Sequence, residues 1–259
     1  MKLIRSRNSG LFCSIIAAAL TSITIVTPVV GQDGVDSGIQ INTLNDTFNW
    51  LVGEDGNTQY TDNGYAFNGI SNQGNFSFSW NVTSSESDLV QSVLAGFSIT
   101  NLSSSTQTYR IYLTDLISVP STKSLVGGSI AGTVTDLNGD GATLSAVDEA
   151  SSIYGGFIDA MNFDDFDGNV VGSLLTGDSV ASGAFLSNTF NPEAFGDFPT
   201  LPGQAAPGIS SNIGIMLTFD LSEGDSAAFT TSFVAQIPSP GPMALLISSI
   251  FGMGRRSRK

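Results

Sequence analysis

The chain has 259 residues, nine of them basic and 23 acidic, with no histidine and a formal charge of −14. Lys2, Arg5 and Arg7 at one end and Arg255, Arg256, Arg258 and Lys259 at the other leave only Arg110 and Lys123 between residues 32 and 237, a stretch of formal charge −21. Such a body repels nucleic acid and anionic lipid heads, and its lack of cysteine excludes disulfides and the usual zinc sites as its means of support.

Residues 1–31 have the layout of a secretory signal peptide. Lys2, Arg5 and Arg7 precede an apolar stretch from Leu11 to Val26, and Val29, Val30 and Gly31 supply small residues before a cleavage expected ahead of Gln32. An uncleaved signal anchor is the alternative. Cys13, the one cysteine, lies within this stretch.

Residues 32–237 are expected to form a single secreted domain, long enough to bury its own hydrophobic core. Phe76, Phe78, Trp80 and Val82 alternate with Ser77, Ser79 and Asn81, the period-two pattern of a strand with one buried face. Phe97 with Ile99, and Tyr109 with Ile111 and Leu113, repeat it. Residues 130–137 and 142–145 read as a hairpin turned by Asn138, Gly139, Asp140 and Gly141. Residues 181–198 show no clear period. Ile213, Ile215, Leu217, Phe219 and Leu221 then alternate into a turn at residues 222–225, and Phe229, Thr231, Phe233, Ala235 and Ile237 return, which predicts a second hairpin. β-Branched and aromatic residues fill these runs, while Asn, Gly, Ser and Asp separate them. The pattern predicts an all-β fold, a single β-sandwich of jelly-roll or immunoglobulin-like type.

Few residues in this body point to chemistry. Asp136, Asn138 and Asp140 put oxygens at the first, third and fifth positions of a loop with Gly141 at the sixth, as loops that wrap a hard cation do. The twelfth position is Val147 rather than a carboxylate, so a turn is the favoured reading and no metal is assigned. Asp164, Asp165, Phe166, Asp167 and Gly168 read as a solvated acidic loop. Trp50, Tyr60, Tyr65 and Trp80 are the residue types that stack on a sugar ring, although Trp80 sits in an alternating core strand. Without histidine, and without cysteine after residue 31, the usual general base and one usual nucleophile are missing. The body is therefore not expected to be an enzyme, and no cofactor follows from its residues.

The chain ends in Pro238, Pro240 and Pro242, an apolar segment from Met243 to Gly254, and the basic cluster Arg255, Arg256, Arg258 and Lys259. The prolines hold the chain extended. As a helix the apolar segment covers roughly 18 Å of a hydrocarbon core about 30 Å thick, and the basic cluster favours the cytoplasmic side. This order resembles the PEP-CTERM sorting signal of Gram-negative bacteria. The match lies on Pro238-Ser239-Pro240-Gly241, Met243-Ala244-Leu245-Leu246 and Arg255-Arg256, with Ser239 where the family has glutamate. The run from Leu221 through Asp225 to Phe233 is similar to the last two strands of many bodies that carry such tails.

The resemblance implies that residues 238–259 form a transmembrane sorting tail recognised and cleaved by an exosortase-like membrane protease. It further implies a transient anchor in the inner membrane, followed by release or attachment at the cell surface. The resulting expectation is a secreted or cell-surface structural protein of the extracellular matrix, with an extracellular polysaccharide as a partner within reach. The alternative is a carbohydrate-binding or glycan-acting module on the same sandwich.

Overall fold

A computed structural model of the protein describes residues 36–87, 89–197 and 202–237. The expected leader (1–31) and sorting tail (238–259), including Pro238, Ser239, Pro240, Gly241, Arg255, Arg256, Arg258 and Lys259, lie outside these residues. Among the described residues the regular structure is all strand. The first six strands are β1 (Gly38–Asn42), β2 (Thr47–Leu51), β3 (Asn57–Thr61), β4 (Gly64–Asn72), β5 (Phe76–Glu86) and β6 (Val90–Asn101). There follow β7 (Gln107–Leu116), β8 (Lys123–Thr135), β9 (Thr143–Ser145), β10 (Ser152–Ile158) and β11 (Asn169–Thr176). The last are β12 (Ser179–Ala181), β13 (Ser187–Phe195), β14 (Gln204–Pro207), β15 (Asn212–Leu221) and β16 (Ser226–Gln236).

These strands form two antiparallel sheets packed as a β-sandwich. The first runs β11-β10-β15-β7-β1-β2, with β9 against the end of β15 and β12 against β9; the second runs β13-β8-β16-β6-β5-β4-β3, with β14 also on β8. The period-two runs explain the core, because alternate side chains of each strand point into the space between the sheets. Phe76, Phe78, Trp80 and Val82 are buried there, as are Phe97, Ile99, Tyr109, Ile111 and Leu113. Aromatic rings bridge the layers: Trp50 of β2 lies 5.2 Å from Trp80 of β5, and Phe219 of β15 lies 4.9 Å from Phe229 of β16. Each such side chain removed from water contributes about 2 kcal/mol before the loss of chain entropy.

Neither predicted hairpin forms. β15 pairs with β7 and β10 in the first sheet, whereas β16 pairs with β6 and β8 in the second. The turn at residues 222–225 is therefore a corner that carries the chain across the sandwich. Alternation alone cannot separate the two arrangements, since both put Phe219 and Phe229 on buried faces. Apolar residues on both strands gain more by meeting across the core than by lying side by side. The expected pairing of residues 130–137 with 142–145 fails in the same way, for β9 leaves the second sheet and pairs with β12 and the end of β15. Residues 181–198 lacked a clear period because β13 carries a bulge. Its register against β8 shifts between Phe190 and Glu193, and Pro192 sits inside that shift on an edge strand.

A second, smaller apolar cluster covers the outer face of the first sheet. Phe163 and Phe166, from the loop after β10, stack on Tyr112 at 4.8 and 5.6 Å and close over Phe157. The acidic loop of residues 164–168 is thus anchored by its aromatics, while Asp164, Asp165 and Asp167 remain exposed.

One carboxylate is buried between the sheets. Asp115 of β7 accepts hydrogen bonds from Tyr65 Oη (2.9 Å), Ser84 Oγ (2.6 Å) and Gln91 Nε2 (2.8 Å), which come from three strands of the opposite sheet. Burial pushes the Asp115 carboxyl above its ordinary value of 3.8, and the donors from Ser84, Gln91 and Tyr65 oppose the shift without cancelling it. Burial, followed by the charge of Asp115, raises the Tyr65 hydroxyl as well. A folded-state value above the unfolded one means that this group's contribution to stability is complete below the unfolded value and is lost as pH rises through the folded one. Asp115→Asn removes that titration. The stability of the parent relative to this variant should therefore fall as pH rises from below 4 and then level off, measured by urea unfolding across pH. Asp115→Ala strands three buried donors and should lower stability at neutral pH by about 3 kcal/mol. Equal stability of the parent and Asp115→Ala would contradict this account of the network.

Candidate functional site

The loop predicted to be able to hold a cation lies where β8 leaves the second sheet. Asp136 Oδ1 accepts the amides of Asn138 (3.3 Å) and Gly139 (2.9 Å), and Oδ2 accepts the amide of Phe185. Gly139 and Gly141 have φ of +93° and +95°, a region where a side chain is strained. A Cβ on Gly139 would also lie 2.3 Å from the end of the exposed Phe185 ring, which would have to swing aside. Phe185 itself has a φ of +55° and is mostly exposed, pinned in that conformation by the carboxylate of Asp136.

The corner between β15 and β16 meets this loop. Asp225 is fully buried; its Oδ1 accepts the Leu137 amide (3.3 Å) and its Oδ2 accepts the Ser222 hydroxyl (2.5 Å). Asn138 Nδ2 donates to the Glu223 carbonyl at 3.1 Å, tying one loop to the other. The result is a group of three carboxylates, Asp136, Asp140 and Asp225, each offering an oxygen within 4.8 Å of the others. Asp136 and Asp225 are buried and Asp140 is exposed.

Of the three residues named from the sequence, Asp136 and Asp140 come together. The third, Asn138, turns its amide group to the neighbouring corner, and its Oδ1 accepts the Asp140 amide at 3.0 Å. Asp225 takes the place expected of Asn138. The sequence marked it only as a turn residue, since nothing in local spacing links it to a loop some 85 positions earlier.

The electrostatics separate the two buried carboxyls. Burial would raise Asp136, but the amides of Gly139, Phe185, Gly141 and Asn138 prevail and hold it below the ordinary carboxylate value. Burial raises Asp225, against the bonds from Ser222 and Leu137 and with the help of the Asp136 charge. Two carboxyls so placed can share a proton. With Asp140 they also supply three hard oxygens, part of the six to eight that calcium takes. The corner contains neither a histidine nor a cysteine, so its chemistry is acceptor chemistry.

The four aromatics considered for sugar stacking do not form a surface. Trp50, Tyr65 and Trp80 are buried, and the Trp80 indole nitrogen lies in the interior without a partner; Tyr60 alone of the four is exposed. No apolar platform is left among them.

No protein-family model matches the chain, and no curated protein matches it. Among solved structures it is similar to the structure of infectious bursal disease virus Gx strain, with 16% identity and a TM-score of 0.29. That match covers 79% of this chain and 53% of the viral chain, so the chain spans about half the length of that protein. The Gt strain structure matches with 15% identity and a TM-score of 0.17, over 80% of this chain and 59% of that one. At these scores neither likeness bears on what the chain does.

The hydrogen bonds around Asp136 and Asp225 are those of a structural corner, and the measurable consequence is a difference between its acids. Asp136→Ala removes the acceptor of three backbone amides and should lower the melting temperature by several degrees. Asp140→Ala changes an exposed side chain and should leave it within about 2 °C. Calcium should stabilise the parent and Asp140→Ala alike, through attraction to the acidic surface. A saturable calcium effect lost only in Asp140→Ala would instead make the corner a metal site.

Proposed function

We propose that this chain is a secreted or cell-surface structural protein of the extracellular matrix. On this reading residues 1–31 export it and residues 238–259 sort it, through an exosortase-like membrane protease acting at Pro238-Ser239-Pro240-Gly241. Arg255, Arg256, Arg258 and Lys259 hold the end of the tail on the cytoplasmic side until cleavage. The body itself carries no catalytic role and no cofactor. The observation that supports this over a glycan-binding or glycan-acting module is the burial of Trp50, Tyr65 and Trp80 in the core. An extracellular polysaccharide is then a neighbour in the matrix rather than a ligand gripped by stacking.

The finer fold type belongs to the same reading. Consecutive strands β6, β7 and β8 change sheet at each step, as do β15 and β16. Such alternation favours a jelly-roll over an immunoglobulin-like sandwich, in which neighbouring strands more often share a sheet.

Processing gives the direct test. Intact-mass analysis of the protein recovered from its own cells should show residues 1–31 missing, together with those following about Pro240. Protein that retains Arg255 to Lys259 in most molecules would contradict sorting by cleavage.

A further inference from the structure

The outer faces of the two sheets differ. Tyr112, Phe157 and Met216 on the outside of the first sheet are covered by Phe163 and Phe166. The outside of the second is left open over most of its area; only toward β8 is it overlain, where Gly127 is buried beside Phe195, Gly196 and Pro202. There β4, β5, β6, β16 and β8 lie side by side in continuous register over five outward rows. The middle row reads Asn68, Asn81, Gly96, Thr230 and Ala131 across the strands. The rows on either side are of the same kind, mainly Ser, Thr and Asn with small apolar residues, and Ile70 and Leu94 are the largest exposed side chains.

None of the outward residues in these rows is charged or aromatic. In a body of charge −21 that is a marked segregation. Most of the carboxylates lie instead in turns and loops, among them the corner of Asp136, Asp140 and Asp225 and the loop over the first sheet that contains Asp164, Asp165 and Asp167. The few within strands, Glu86, Asp115, Glu193 and Asp220, are outside these rows. Cross-strand hydroxyls on the bare face partner each other, Ser129 with Ser232 at 2.8 Å and Thr100 with Ser226 at 3.3 Å, which lowers the cost of removing them from water.

We propose that this outer face of the second sheet is a docking surface for a second copy of the chain. Two bodies of like charge repel on nearly every approach, and this face is the one on which no carboxylate meets another. Its size fits. Five strands about 4.8 Å apart and roughly ten residues long at about 3.4 Å each give about 800 Å², the contribution of one partner to a standard interface. Small side chains let the two sheets approach closely. The absence of aromatic or arginine anchors makes the pair a weak one, with a dissociation constant on the order of 10 μM. A neutral polysaccharide fits the face less well, because it lacks the aromatic rings on which sugars stack. This inference does not depend on how the chain is exported or sorted.

Sedimentation equilibrium of the full-length protein tests it. A monomer–dimer equilibrium is expected, and sodium chloride should strengthen it by screening the repulsion between the bodies. Ser98→Asp with Thr230→Asp, on the exposed face and away from the core, should weaken the dimer by roughly a hundredfold. Mixing that variant with Ser98→Lys/Thr230→Lys should restore a one-to-one complex. Asn169→Asp, on the other sheet, should leave the equilibrium unchanged. A protein that is monomeric throughout, or association that ignores the charges on this face, would overturn the proposal. So would a monomer retained on a neutral polysaccharide and released by the same Asp substitutions.

Discussion

The contact between the inward faces of β15 and β16 is the constraint from which most of this architecture follows. Phe219 and Phe229 meet 4.9 Å apart across the space between the sheets, although only the turn at residues 222–225 separates their strands. A chain that crosses the core so abruptly must find separate partners for each strand. β15 finds them in β7 and β10, and β16 in β6 and β8. These pairings put the middle of both sheets in place at once. The remaining strands extend each sheet outward to edges that end in the short β2 and β3 on one side and the bulged β13 on the other.

Crossing the sandwich brings backbone and carboxylates into places where water is scarce. The body has two cations for its 23 acids, so ion pairs are not available as a general remedy. Hydrogen-bond donors take their place. Asp115 is held by Tyr65, Ser84 and Gln91, Asp136 by backbone amides, and Asp225 by Ser222 and the Leu137 amide. Asp115 therefore fastens one sheet to the other, while Asp136 and Asp225 fasten the loops by which the chain passes between them. Most of the remaining charge stays in loops, and none of it falls in the outward rows of the second sheet, which leaves that hydroxyl-rich face neutral.

The strands with a strict period of two were legible from the sequence, and so was the burial of Trp80, because alternation reports directly which side of a strand faces the core. Sheet membership was not legible. Ile215 and Phe233 alternate equally well in a hairpin and in a corner between sheets, and only the partners decide. β13 escaped notice because the shift between Phe190 and Glu193 breaks the period on which recognition depends. At the candidate site, Asp136 and Asp140 stood out through local spacing. Asp225 did not, since it joins them by way of the fold. The bare face was hidden for the same reason, its rows being assembled from five strands distant in sequence.

The most direct test of this account is the neighbour of β16, read from nuclear Overhauser effects in the folded protein. Backbone contacts of β16 should run to Gly96 and Ser98 on one side and to Ala131 and Thr133 on the other, while the rings of Phe219 and Phe229 contact each other through side chains alone. Backbone contacts linking β15 directly to β16 along their length would mean that the two form a hairpin in one sheet, and the corner, with the fastening carboxylates around it, would not stand.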